Sequence, residues 1–245
     1  MSSVSPAPKA SYAKDVDSRF VELVKKIETS PTELLLKRRK LAKKKLYRAI
    51  REQRRQAKRA GLRAVALTLT YRDSSTFDSK HVSRFIDKLR RSLRRQGYGL
   101  PYAWVLERAG QLHYHLLLWL PRGQKLEAIL SKWWCWGSCW IESCRSPSGW
   151  GRYMSKFNSL QKLPKGARAF GLGGLDEDGK AAVSRAGMPR WLAAVLPQRH
   201  LARRCRGGGW VDMATGLIYA SPYRWTPRGI VLASCLAITP EIRKI

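Results

Sequence analysis

The chain has 245 residues, and its 48 Lys and Arg against 17 Asp and Glu give a formal net charge of +31. That is more than solubility asks for and strains a compact chain by self-repulsion, so a polyanionic partner is expected. Ten Trp and nine Tyr offer faces for unpaired bases, which favours nucleic acid over a basic structural role. The length excludes a small disulfide-stapled fold, and no apolar run approaches the roughly 18 residues of a bilayer span.

The first residues, Met1 to Tyr12, are rich in Ser, Pro and Ala without an apolar core, so 1–29 reads as a flexible leader rather than a secretion signal. Five cysteines without a C-x-x-C pair argue for a reducing, cytoplasmic setting. Cys135, Cys139 and Cys144 have a spacing looser than zinc sites favour.

Segment 30–62 predicts a basic helix opened by Ser30-Pro31 and closed by Gly61. Leu34, Leu35, Leu41, Leu46 and Ile50 give it a partial apolar stripe, and the rest is charge suited to a phosphate backbone or simply to solvent. Ala64 to Tyr71 alternates as a strand with Thr68 and Thr70 on one face. Asp78 or Ser79 is placed to cap a helix whose Val82, Phe85, Ile86, Leu89 and Leu93 recur at helical spacing, with Gly97 as terminator. Tyr102 to Glu107 and Gln111 to Leu120 form a hairpin around Arg108-Ala109-Gly110.

A helix follows with Leu126, Ile129, Leu130, Trp133 and Trp134 on one face. Ser138 to Glu142 is the fourth expected strand, and a helix runs from about Gly149 to Lys162. The order predicts an α+β fold, a central antiparallel sheet with helices packed on it over 63–171. The remainder, 172–245, reads as a small accessory region with a hairpin at Gly209 to Ala220 and a buried strand at Gly229 to Ile238. Gly174 to Lys180 imitates a phosphate-binding loop, but Asp176, Glu177 and Asp178 would repel phosphates and Ala181 supplies no hydroxyl. It reads instead as an exposed acidic turn with no clear strand before it.

His113 and His115 share one face of their strand because side chains alternate, so both can reach one metal. A three-residue loop pairs Glu107 with Gln111 and brings Glu107 to the same face, whereas a two-residue turn sends it to the reverse. Two imidazoles and a carboxylate suit Mg²⁺ or Mn²⁺ acting as a Lewis acid on phosphate. The alternatives are an exposed polar pair and a Glu107 engaged by arginine. On the later helix, Tyr153 lies at the edge of the stripe of Trp150, Met154 and Phe157, with Lys156 one turn on. A free phenol ionises near pH ~10 and needs a cation beside it to act as a nucleophile at neutral pH. A tyrosine at a core rim beside a solvated lysine is the structural alternative.

LTLTY, then E-x5-H-x-H, then RYMSKF, with the trailing PKGARAFG, resembles the HUH endonucleases and within them the rolling-circle replication initiators of bacterial plasmids and filamentous phages. The resemblance covers about Ala64 to Gly171. It implies a divalent ion at His113 and His115, with Glu107 as the less uniform third ligand. It further implies Tyr153, assisted by Lys156, attacking single-stranded origin DNA to leave a 5′-phosphotyrosine and a 3′-OH for a host polymerase. Unwinding falls to a host helicase. Some relatives carry a second tyrosine one turn on, where this chain has Phe157, so it resembles the single-tyrosine type. Related transposases and relaxases use the same chemistry and stand as the alternative enzyme class.

Overall fold

The computed structural model describes residues 31–124, 126–157, 162–205, 209–226 and 229–232. The expected leader, Cys235 and the end of the apolar run from Gly229 lie outside them.

Five strands form the central sheet: β1 (Arg63–Tyr71), β2 (Tyr102–Ala109), β3 (Gln111–Leu120), β4 (Gly137–Ser143) and β5 (Phe170–Gly173), in the order β4-β1-β3-β2-β5 with every pairing antiparallel. The α+β expectation holds. Alternation sorts each strand onto two faces. Leu67, Leu69, Tyr71, Leu106, Leu112, Tyr114, Leu116 and Leu118 point to one, where they meet Val82, Phe85, Ile86, Leu89 and Leu93 of α2 (His81–Arg95). Leu126, Leu130 and Trp134, in and beside α3 (Glu127–Trp133), complete that core.

The other face carries Ala64, Ala103, Val105, Leu117 and Trp119, packed under α1 (Pro31–Arg59) and α4 (Pro147–Met154). Here α1 is a structural helix as well as a basic one. Leu46, Ala49, Ile50, Gln53 and Ala57 are buried at helical spacing, while Leu41, expected in the stripe, is exposed. Gln53 Nε2 donates to the carbonyls of Tyr102 (2.7 Å) and Gly173 (3.0 Å), so one buried amide ties α1 to β2 and β5. Small residues allow the close approach: a Cβ on Gly151 of α4 would come within 2.7 Å of Ile50 Cδ1.

Several local expectations are corrected. The Asp78 carboxylate accepts the Lys80 N–H in the turn before α2, which begins at His81 with Lys80 in the capping position and no side-chain cap. The hairpin is tighter than a three-residue loop: Ala109 pairs with Gln111 across Gly110 (φ +75°), and Glu107 pairs with His113 rather than Gln111. This moves the register by two residues and preserves the face, because the side-chain period is two. The helix expected to reach Lys162 stops at Met154, and Phe157 adopts a left-handed φ of 48° that buries its ring against the core with Phe170 beside it.

The acidic segment is neither an isolated exposed turn nor without a preceding strand. β5 comes before it, and Asp176 caps α5 (Glu177–Ala186) by accepting the Gly179 N–H at 2.8 Å. Its carboxylates sit at a helix N-terminus, where the backbone dipole favours negative charge. Helix α6 (Arg190–Val195) then packs Leu192 with Met188 and Leu196, in contact with a three-stranded sheet of β6 (Ala202–Arg204), β7 (Trp210–Asp212) and β8 (Ile218–Tyr219). The hairpin expected around Thr215-Gly216 is the β7–β8 pair. β9 (Tyr223–Thr226) and β10 (Gly229–Leu232) pair with each other.

Candidate metal centre and tyrosine site

Strand β3 lies between β1 and β2, so its histidines are flanked on both sides. His113 is opposite Thr70 on β1 and Glu107 on β2; His115 is opposite Thr68 and Val105. Cross-strand partners share a face, and Glu107 Oε2 consequently lies 3.9 Å from His113 Nε2 and 3.6 Å from His115 Nε2. One ligand atom from each residue falls within 4.8 Å of the others.

The surrounding hydrogen bonds orient both rings. His113 Nδ1 is 3.2 Å from the Gln111 carbonyl oxygen; that oxygen only accepts, so the ring proton resides on Nδ1 and the Nε2 lone pair is turned toward Glu107. Burial, followed by the neighbouring His115, holds the His113 imidazole below the ordinary histidine value and favours the neutral form that binds metals. His115 Nδ1 lies 3.1 Å from Thr68 Oγ1, while its Nε2 is buried without a hydrogen-bond partner. With Nδ1–H donating to Thr68, that orphaned nitrogen presents a lone pair to the same point as His113 and the carboxylate. Two oriented imidazoles, one carboxylate and one unsatisfied buried nitrogen are a donor set that fits a divalent cation.

Helix α4 brings the tyrosine to this face. Ser146 Oγ accepts the Gly149 N–H, Pro147 starts the first turn, and Trp150 Nε1 donates to the Leu116 carbonyl at 3.1 Å, fixing the helix to β3. The Trp150 and Tyr153 rings stack at 5.2 Å, and both stand edge-on to His115, at 5.6 and 5.2 Å between centroids. Tyr153 is 43% exposed and stands at the rim rather than in the core. Lys156 lies beyond the end of the helix. Its Nζ is 5.0 Å from the Tyr153 ring centroid, and its carbonyl accepts from Arg39 of α1 at 2.8 Å.

All five residues singled out in the sequence thus meet in one place: Glu107, His113 and His115 within ligand distance of one another, Tyr153 against His115, and Lys156 over the tyrosine ring. Residues 64–159, from β1 to just beyond α4, match the Replication-associated protein ORF2 family, whose members are rolling-circle replication initiators. This central segment belongs to that initiator family. No match was found among the curated proteins or the solved structures.

Thr68 and Trp150 are functional neighbours of the initiator site that the sequence does not single out. Alternation places Thr68 on the correct face, but only the register shows that it meets His115. Trp150 reads as a member of an apolar stripe, and its anchoring bond to β3 is invisible before the helix is docked. The cysteines form no comparable centre among the described residues: Cys139 packs toward the α2 core and Cys144 toward the α1 core. Among the described residues no helix is long and apolar enough to cross a membrane.

Proposed function

We propose that this initiator nicks single-stranded origin DNA by tyrosine attack, with Glu107, His113 and His115 holding a divalent cation, Mg²⁺ or Mn²⁺. The observation that carries the reading is the position of the Tyr153 ring, edge-on to His115 on the face where the three ligand atoms converge. When bound, the cation supplies Lewis-acid polarisation of a phosphoryl oxygen.

The chain's own residues do the rest. Tyr153 loses its phenolic proton and its oxygen forms a bond to phosphorus; the bond from phosphorus to the 3′ oxygen breaks, and that oxygen takes up a proton to become a 3′-OH. The 5′ phosphate stays on Tyr153, and the phosphotyrosine keeps the linkage open to reversal. The Lys156 ammonium stabilises the developing phenolate or the scissile phosphate. Trp150 holds the tyrosine ring in place from its anchor on β3. Segment 63–171 acts as the nuclease unit, with 172–245 as an accessory region, and the freed 3′-OH serves a host polymerase working with a host helicase. Phe157, buried one turn after Tyr153, supports a single-tyrosine mechanism.

The test incubates the full chain, Mn²⁺ and labelled single strands from its replicon, then denatures the mixture. A covalent protein–DNA adduct is expected with the wild type and none with Tyr153→Phe, which retains DNA affinity. An adduct that persists in Tyr153→Phe moves the nucleophile elsewhere. Loss of metal-dependent cleavage is expected in His113→Ala/His115→Ala.

A further inference from the structure

Edge strand β4 places Ser138, Trp140 and Glu142 on the histidine face of the sheet, and all three are exposed while Cys139 and Ile141 turn into the opposite core. Trp140 is 70% exposed. It pairs across the ladder with Thr68, which pairs in turn with His115 and shares a hydrogen bond with it. Trp140, Thr68 and His115 therefore form one straight row across three strands. No hydrogen bond, ring or cation engages the indole among the described residues.

A tryptophan of this exposure on a solvated edge costs solubility and contributes little to the core, yet this one is in line with the metal-ligating residues. Two interstrand spacings put it roughly 10 Å from His115. We propose that Trp140 is a stacking platform for a base of the single-stranded substrate, within about three nucleotides of the phosphate at the metal centre, at ~3.4 Å per nucleotide along one strand. The occupant is single-stranded DNA because the platform shares a face with the initiator site and the chain carries a net charge of +31. An indole face accepts any base without a hydrogen-bond code. The inference rests on the strand-nicking reading for its substrate.

The test uses the full chain and oligothymidylate carrying 5-iodouracil, with no cleavage required. Irradiation should cross-link the oligonucleotide to the peptide containing Trp140. Trp140→Ala should weaken binding of the same oligonucleotide by about five- to a hundredfold, the range of one base–aromatic stack. Trp140→Phe should recover most of that loss because a ring remains. Binding by Trp140→Ala within twofold of the wild type, or cross-links only at other peptides, would overturn the proposal. The two readings fail separately: normal nicking with Trp140-independent binding removes the platform alone, whereas Trp140-dependent binding without any Tyr153 adduct removes the nicking chemistry alone.

Discussion

The two faces of the central sheet come from the same alternating strands but are closed to different extents. On the α2 face, leucines and aromatic rings from β1, β2 and β3 are covered along their whole length. On the α1 face, coverage extends over Ala64, Ala103, Val105 and Leu117, then stops where the polar residues Thr68, Thr70, Glu107, His113 and His115 begin. One face holds the protein together. The other holds the helices at one end and leaves a polar, half-buried site at the other, where charge can be introduced without breaking a core.

The sharpest way to break this comparison is to truncate the closed face. Leu69→Ala removes a fully buried side chain and should cost about 2–5 kcal/mol by chemical denaturation. A loss near zero would show that the closed face is not the stabilising one. On the open face, Thr68→Val keeps the shape but removes the hydroxyl beside His115 Nδ1. It should lower affinity for Mn²⁺ by about 10–100-fold in a calorimetric titration while leaving the denaturation midpoint nearly unchanged.

An intermediate case is Gln53, a polar clamp within the covered end. Gln53→Ala leaves the Tyr102 and Gly173 carbonyls without their donor, and about 1–3 kcal/mol should be lost, with amide exchange accelerated first in β5. Uniform acceleration across the sheet would contradict a local clamp.

The smallest effect belongs to the accessory sheet. Burial alone would raise the Asp212 carboxyl, but hydrogen bonds from the Ala214 N–H, His200 and Thr215 outweigh it and hold the group below the ordinary carboxylate value. A depressed folded value means stability that is present above the unfolded value of ~3.9 and lost as pH falls through the folded one. Proteolysis around β7 should therefore rise below pH ~4 before the central sheet opens. Asp212→Asn should remove that acid dependence.

The site was legible in part because its chemistry lies on one strand. A period of two puts His113 and His115 together whatever the rest of the chain does, and it puts Glu107 with them for any hairpin register of the right parity. That explains why a misjudged loop still placed the third ligand correctly. The buried face of α1 was harder to see, since Ala49, Ala57 and Gln53 lack the hydropathy that marks a core stripe; they are buried because the strands beneath present small residues. The early end of α4 was equally hidden, because a left-handed phenylalanine is unfavourable locally and is maintained by burial of its ring.

Local rules in the sequence determined the α+β class, the strands, the α2 stripe and the common face of the two imidazoles, because charge, hydropathy and alternation act between near neighbours. Contacts distant along the chain decided the rest: Glu107 opposite His113, Thr68 against His115, α1 docked on the sheet, and the Tyr153 ring brought by α4 beside the metal ligands. Such pairings depend on which surfaces fit together once the elements exist, and that fit is set by side-chain volume and register rather than by any local pattern.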